Sequence, residues 1–240
     1  MCMKQAVLLI HGFGGNPKEL EPLHDLLVKK KIPVVSVTLT GHGKGRYSVP
    51  VVTEAHWRKD IFTAFDSLQK KYSSVCVVGF SMGGALALQI ATERVVSKLV
   101  LISPCFHLKY RWKYILPSDW WLAGLKRTIP LLRKIGLRVR KNRGPFRYLA
   151  HDYLLLNSID SFFAVKNKAI VLAGSIHTPI LIIHSTKDKV TDFVMSKKVF
   201  ETIPSLEKKF VRYTHGGHLL LYTKDAEDAL GEIERFLLNT

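Results

Sequence analysis

Long apolar runs are absent from this sequence. The first apolar stretch, residues 6–10, contains five residues and ends at His11. A helix that crosses a bilayer needs about 20 apolar residues, and the apolar part of a secretory signal peptide needs at least about 7. We therefore expect a cytoplasmic protein whose contact with membranes, where it occurs, is peripheral.

Cysteine is scarce, and no residue type shows the spacing of a metal site. The three cysteines, Cys2, Cys76 and Cys105, are far apart, and the ten histidines include no His-Glu-x-x-His pattern. The glycine pattern of a dinucleotide-binding loop, Gly-x-Gly-x-x-Gly, is also missing. We expect no disulfide framework, no metal site and no dinucleotide-binding loop.

Acidic residues are few: 19 Asp or Glu stand against 36 Lys or Arg, and the formal net charge is +17. Residues 105–150 contain twelve of the basic residues but only one acid, Asp119. Trp and Leu are interleaved with these charges, which is typical of a segment on an anionic membrane surface. We expect peripheral lipid contact there. The alternative is the solvated outer face of a cap, whereas no nucleic-acid motif supports nucleic-acid binding. The basic residues are Lys109, Arg111, Lys113, Lys126, Arg127, Arg133, Lys134, Arg138, Arg140, Lys141, Arg143 and Arg147.

Apolar runs of strand length alternate with helical patterns along most of the chain. Amphipathic spacing predicts helices at about 53–71 and 225–238, among others. Strands that alternate with helices in this way predict an α/β fold with a mostly parallel, doubly wound sheet. The predicted strands are 6–10, 34–39, 75–78, 98–102, 179–184 and 208–213.

One segment interrupts this alternation. Residues 104–176 lack a strand-helix-strand pattern, and their prolines and glycine predict short helices instead. Because the segment lies between two predicted core strands, we expect an inserted, basic helical cap at 105–176. The core would then consist of residues 1–104 and 177–240.

The strongest local signal is Gly79-Phe80-Ser81-Met82-Gly83, a Gly-x-Ser-x-Gly pentapeptide. Such a match arises by chance in roughly one chain in twelve of this length. Here it follows a predicted strand and precedes a predicted helix, which is the context of a nucleophile elbow. The glycines allow the tight turn that exposes the serine hydroxyl, so Ser81 is the expected nucleophile. The alternative is a glycine-rich turn that only packs the sheet.

A serine nucleophile needs a base and a carboxylate that orients the base. His218 follows two glycines after the last predicted strand, and His215 is its near competitor. Asp188 follows the fifth strand, whereas Asp192 precedes an apolar helical face and fits a helix cap better. We predict that Ser81, Asp188 and His218 form a catalytic triad, in the chain order that is expected of an enzyme with this fold.

Acyl transfer also needs donors for the developing oxyanion. One predicted donor is the backbone N–H of Met82, the residue after the nucleophile. The second should come from the loop at 11–15 (HGFGG), and we assign it to the N–H of Phe13.

These motifs together resemble the α/β-hydrolases, and within them the monoacylglycerol lipase-like carboxylesterases with a small helical cap. The resemblance covers residues 5–105 and 178–240, and it also includes Gly41-His42-Gly43. It implies the same triad and oxyanion donors, no cofactor, and cleavage of carboxylic esters of apolar acyl groups, such as a monoacylglycerol or a lysophospholipid. A thioesterase or acyltransferase would use the same triad, and a non-catalytic lipid- or partner-binding member of the fold is the other alternative.

Overall fold

The computed structural model describes residues 5–42, 51–109, 138–140, 153–155 and 158–238. Within these residues, six parallel strands form one sheet: β1 (Gln5–Ile10), β2 (Val34–Val37), β3 (Ser74–Phe80), β4 (Leu99–Ile102), β7 (Ile180–Ser185) and β8 (Lys208–Tyr213). Their order in the sheet is β2-β1-β3-β4-β7-β8. The six predicted strands are confirmed, with ends that differ by one or two residues.

Helices cover both faces of the sheet, because its strands are apolar on both sides. Along β1, Ala6, Leu8 and Ile10 belong to one buried cluster, whereas Val7 and Leu9 belong to the other. The predicted doubly wound α/β fold is therefore confirmed. The helices are α1 (Glu21–Lys29), α2 (Glu54–Gln69), α3 (Met82–Glu93), α4 (Ser158–Leu172), α5 (Phe193–Thr202) and α6 (Ala226–Leu238). None of the helices in the described residues is long and apolar enough to cross a bilayer.

The strand order places the ends of β1 and β3 side by side. The chain adds β2 on one side of β1 and then returns to build β3, β4, β7 and β8 on the other side. In open α/β sheets, ligands bind outside the carboxyl ends of the strands where the order reverses in this way. The loops that follow β1 and β3 are therefore the natural walls of a site.

The structure corrects the expectation of short helices in the predicted insertion. Its described part contains β5 (Arg138–Arg140) paired antiparallel with β6 (Tyr153–Leu155), and then the 15-residue α4. Phe162, Val165 and Ala169 of α4 are buried in the same cluster as α3. Their spacing of three and four residues is that of an apolar helix face packed on the core. Residues 110–137, 141–152 and 156–157 lie outside the described residues, and the division at 105 and 176 stays a prediction.

Candidate active site

Ser81 lies on a strained turn between β3 and α3. Its backbone has φ 54° and ψ −117°, a conformation that side-chain-bearing residues rarely adopt. The turn leaves no room for side chains on either side. A Cβ at Gly79 would lie 2.3 Å from the Gly83 carbonyl oxygen, and one at Gly83 would lie 2.1 Å from the Ile10 carbonyl oxygen. The two glycines of the pentapeptide are thus required by close backbone packing, as predicted for a nucleophile elbow.

The structure brings the three predicted triad side chains together. His218 Nε2 lies 3.1 Å from Ser81 Oγ, and His218 Nδ1 lies 2.8 Å from Asp188 Oδ2. Asp188 lies in the loop after β7, and His218 lies in the loop after β8. Because β7 and β8 are parallel neighbours, both loops leave the same edge of the sheet. The arrangement has the geometry needed for proton transfer from the hydroxyl to the imidazole.

Asp188 is fully buried, yet its carboxylate is well supplied with donors. Oδ1 accepts the backbone N–H groups of Val190 at 2.7 Å and Thr191 at 3.0 Å, and Oδ2 accepts the Thr191 hydroxyl at 2.7 Å. Burial alone would raise the pKa of Asp188, but the charge and hydrogen bonds of His218 and His184 outweigh it and hold the pKa well below its usual range. The carboxylate is therefore ionised, and Nδ1 of His218 carries a proton toward it.

The rival residues take structural positions. Asp192 caps α5, since its side chain accepts the N–H groups of Val194 at 2.8 Å and Met195 at 3.4 Å. The side chain of His215 is 69% exposed, and its Nδ1 lies 3.2 Å from Asp225 Oδ1. The geometry thus favours Asp188 and His218 over both competitors.

Two residues beside the triad were missed by sequence reasoning. His184 is not among the predicted site residues, but its Nε2 lies 3.1 Å from Asp188 Oδ2. Asp225 Oδ2 accepts the backbone N–H groups of His215 at 3.0 Å and Gly216 at 2.7 Å, and so holds the loop that carries His218. The four-residue spacing of His184 and Asp188 at a strand end was the one available signal.

The loop after β1 runs directly against Ser81. A Cβ at Gly12 would lie 3.2 Å from Ser81 Cβ. Buried side chains fix this loop: a Glu19 carboxylate oxygen accepts the Gly12 N–H at 2.8 Å, and His42 Nε2 accepts the Gly14 N–H at 2.8 Å. These bonds use donors on either side of Phe13 and position its peptide group.

The two predicted oxyanion donors are free to bind a ligand as far as the described residues extend. Neither the Phe13 N–H nor the Met82 N–H donates a hydrogen bond to another described residue. Met82 is the first residue of α3, and the first N–H groups of a helix have no partner within it. Their assignment as an oxyanion hole stays a prediction.

Aromatic side chains form a wall next to this loop. The Phe13 ring stacks on Phe162 of α4, with ring centroids 4.7 Å apart. Phe13 and Trp57 of α2 form a T-shaped pair with ring centroids 5.9 Å apart. Phe162 and Trp57 are buried in the main core. The Phe13 ring is therefore held in place by buried aromatic neighbours.

The described cysteines are not reactive thiolates. Burial raises the pKa of Cys76 to about 11 and that of Cys105 to about 12, so both stay protonated at neutral pH. No group of His, Cys, Asp or Glu in the described part of the chain is arranged to hold a metal ion.

Comparisons with known proteins show the family of this chain. Residues 2–225 match the family model Hydrolase_4, described as "Serine aminopeptidase, S33". The chain belongs to this family. It is 33% identical over 215 residues to the thermostable monoacylglycerol lipase of Bacillus sp. (strain H-257), a match that covers 89% of this chain and 82% of the relative.

Solved structures support the fold. A structure described with the metagenome-derived lipolytic enzymes LipS and LipT superposes with a TM-score of 0.82 at 22% identity, and covers 100% of this chain and 96% of that one. The monoacylglycerol lipase of Paleococcus ferrophilus gives a TM-score of 0.79 at 20% identity, with 98% and 96% covered. This chain is therefore an α/β-hydrolase of the carboxylesterase and lipase type, as its motifs predicted.

Proposed function

We propose that this protein hydrolyses carboxylic esters of apolar acyl groups through an acyl-enzyme on Ser81. The observation that carries the proposal is the unbroken series of contacts from Ser81 Oγ through His218 to the buried Asp188 carboxylate. Serine, base and orienting carboxylate in this order are what nucleophilic acyl transfer needs.

In the first half-reaction, His218 Nε2 takes the proton of Ser81 Oγ while the oxygen attacks the ester carbonyl carbon. The resulting oxyanion accepts hydrogen bonds from the N–H groups of Phe13 and Met82. Its collapse breaks the bond to the alcohol oxygen, which leaves with the proton from His218. In the second half-reaction, His218 takes a proton from water, the hydroxide attacks the acyl carbon, and Ser81 recovers its proton as the carboxylic acid leaves.

The substrate we favour is a monoacylglycerol or a similar single-chain lipid ester such as a lysophospholipid. The relative that covers most of this chain at 33% identity is named a monoacylglycerol lipase. The partly exposed Phe13 ring, in the loop that lies against Ser81, offers an apolar contact to an acyl chain. A peptide substrate would accord with the family's description as serine aminopeptidases, and a thioester would use the same triad.

A series of p-nitrophenyl and glyceryl esters of increasing acyl length, run beside acyl-thioester and aminoacyl-amide substrates, tests this choice. We expect the highest kcat/KM on glyceryl or p-nitrophenyl esters of medium or long chains. Faster turnover of the thioester or the amide would contradict the ester assignment.

Ser81→Ala tests the nucleophile. We expect kcat to fall by a factor on the order of 10⁴ to 10⁶, the fluorophosphonate label to be lost, and the circular dichroism spectrum to stay unchanged. Ser175→Ala, which alters an exposed serine, is the control and should keep full activity and labelling. An active Ser81→Ala enzyme would refute the acyl-enzyme mechanism.

The basic segment supports a second part of the proposal, namely peripheral contact with anionic lipid. Twelve Lys or Arg against one acid between residues 105 and 150 make this the most cationic part of the sequence. Sedimentation with vesicles tests it: we expect binding to anionic but not to neutral vesicles, weakened by salt. Equal binding to both, or binding to neither, would refute it.

A pair of charge variants localises that contact. Changing Lys126, Arg127, Arg133 and Lys134 to Gln should weaken binding to anionic vesicles by roughly 1 kcal/mol for each charge near the surface. The control changes four exposed lysines elsewhere, Lys29, Lys70, Lys197 and Lys198, to Gln. An equal loss of vesicle binding in both variants would show that binding depends only on the net charge of the protein and not on the basic segment.

A further inference from the structure

A second imidazole contacts the carboxylate of the proposed triad. His184 is in β7, four residues before Asp188, and its side chain is completely buried. Its Nε2 lies 3.1 Å from Asp188 Oδ2, the same oxygen that lies 2.8 Å from His218 Nδ1. One carboxylate oxygen therefore lies between two histidines.

The surroundings fix the tautomer of His184. Asp188 is ionised and can only accept, so Nε2 of His184 must carry the proton that it donates. Within the described residues, His184 Nδ1 has no hydrogen-bond partner. The Phe193 ring and the imidazole form a T-shaped pair with ring centroids 5.7 Å apart. The Nε2–H group of His184 is therefore committed to the Asp188 carboxylate.

The donors at Oδ2 compete for the same negative charge. Besides the two imidazoles, the Thr191 hydroxyl donates to Oδ2 at 2.7 Å and lies 3.3 Å from His184 Nε2. Each donor stabilises the carboxylate charge and leaves less of it to stabilise a protonated His218. The same bonds hold the carboxylate in the plane that His218 needs.

We propose that His184 is a positioning residue that acts through Asp188: it orients the carboxylate and, by sharing Oδ2, makes His218 a weaker base, so that the enzyme stays active at lower pH. This inference rests on the proposed function, because His218 acts as base only in that reaction.

Few other charges face this group within the described residues. The Lys109 ammonium lies 3.3 Å from the Asp188 carbonyl oxygen, and the buried Cys105 thiol stays neutral. Arg212, opposite His184 on β8, is exposed. Asp192, at the start of α5, pairs with His107 at 3.6 Å. None of these groups donates to Asp188 Oδ2, so a change at His184 should be separable from them.

Two variants at position 184 differ only in whether they keep the donor. His184→Leu removes the N–H, whereas His184→Gln offers an amide N–H at nearly the position of Nε2. In the Leu variant His218 should become a stronger base, so the acid limb of the kcat/KM profile should move to higher pH by about 0.5 to 1 unit. KM should stay unchanged, and the Gln variant should restore the wild-type acid limb.

The outcomes separate positioning from packing. An acid limb that is the same in the Leu variant and the wild type would overturn the inference, and so would an equal shift in the Leu and Gln variants. If the Leu variant does not fold, ¹⁵N NMR of the wild-type imidazoles decides. We expect a proton on Nε2 of His184, and an Nε2 without a proton at pH 7 would overturn the inference.

Failure of the proposed function would look different. A wild-type protein that neither turns over acyl substrates nor reacts with a fluorophosphonate would contradict the enzyme assignment itself. Turnover with an unshifted acid limb would contradict only the role of His184.

Discussion

Asp225 holds the loop of the proposed base, His218, and makes no hydrogen bond to Ser81 among the described residues. Its Oδ2 accepts two consecutive backbone N–H groups, from His215 and Gly216, and the residue is 7% exposed. Burial by itself would raise the pKa of Asp225, but these N–H groups and the His215 side chain lower it. The ionised carboxylate therefore stabilises the turn from which His218 projects.

The change Asp225→Asn should weaken this turn. A hydrogen bond to a charged group contributes about 1.5 to 3 kcal/mol, so we expect the free energy of unfolding at pH 7 to fall by about that amount and kcat to fall by about tenfold. The check is urea denaturation and ester turnover. Asp228→Asn, which alters an exposed acid of α6, serves as the control and should change neither quantity.

The loss should also depend on pH. Because the folded pKa of Asp225 lies below its unfolded value, its contribution is present above the unfolded pKa of about 4 and disappears as pH falls through the folded value. The difference in unfolding free energy between wild type and Asp225→Asn should therefore shrink below about pH 4. A difference that grows toward acid would contradict this account.

At the scale of elements, the elbow depends on α3 lying directly against β1 and β3. A Cβ at Gly83 would lie 2.1 Å from a backbone oxygen of β1, and no flexible side chain can move aside there. Gly83→Ala must push the helix away from the sheet and displace Ser81 from His218.

We expect Gly83→Ala to lower the free energy of unfolding by about 1 to 3 kcal/mol, the usual range for overpacking, and to abolish measurable ester turnover. Gly174→Ala is the control, since a Cβ there meets nothing within 4 Å. It should leave stability within about 1 kcal/mol of wild type. Thermal unfolding and turnover check both variants, and a fully active Gly83→Ala enzyme would refute the packing argument.

Elements with a strong local pattern could be predicted from the sequence, and α4 could not. The strands of the sheet are short apolar runs between turn residues, and that pattern survives in any context. In α4, Phe162 and Val165 are core residues, but Phe163 beside them is exposed, so the helical stripe is less distinct. Only its packing on α3 shows which face is buried.

At the scale of the whole molecule, stability should fall in acid. The described carboxylates with lowered pKa values lie on different elements, and the unfolded chain binds protons at them before the folded chain does. Their contributions to the free energy of unfolding are present above about pH 4.5 and are lost as pH falls through the pKa values of the folded state. The excess of 36 Lys or Arg over 19 Asp or Glu adds self-repulsion as the acids are neutralised. These carboxylates are Asp66, Glu93, Asp188, Asp225 and Glu232.

The urea midpoint should therefore be nearly constant from pH 7 to pH 5 and decrease steeply from pH 4 to pH 3. Added salt at pH 3 should recover part of the loss, because it screens the repulsion between positive charges. A midpoint that is the same at pH 7 and pH 3 would contradict the assignment of these pKa directions.

The sequence by itself determined the strand-helix alternation and the turn at Ser81, because both depend on neighbours within a few residues. The sequence left two candidates for the base and two for the carboxylate, because it does not show how far these side chains lie from Ser81. Only the tertiary structure decided that His218 lies against Ser81, which is 137 positions away in the chain, and that His184 and Asp225 support the site. Parallel strands end at one edge of the sheet, so residues that are remote in sequence become hydrogen-bonded partners there.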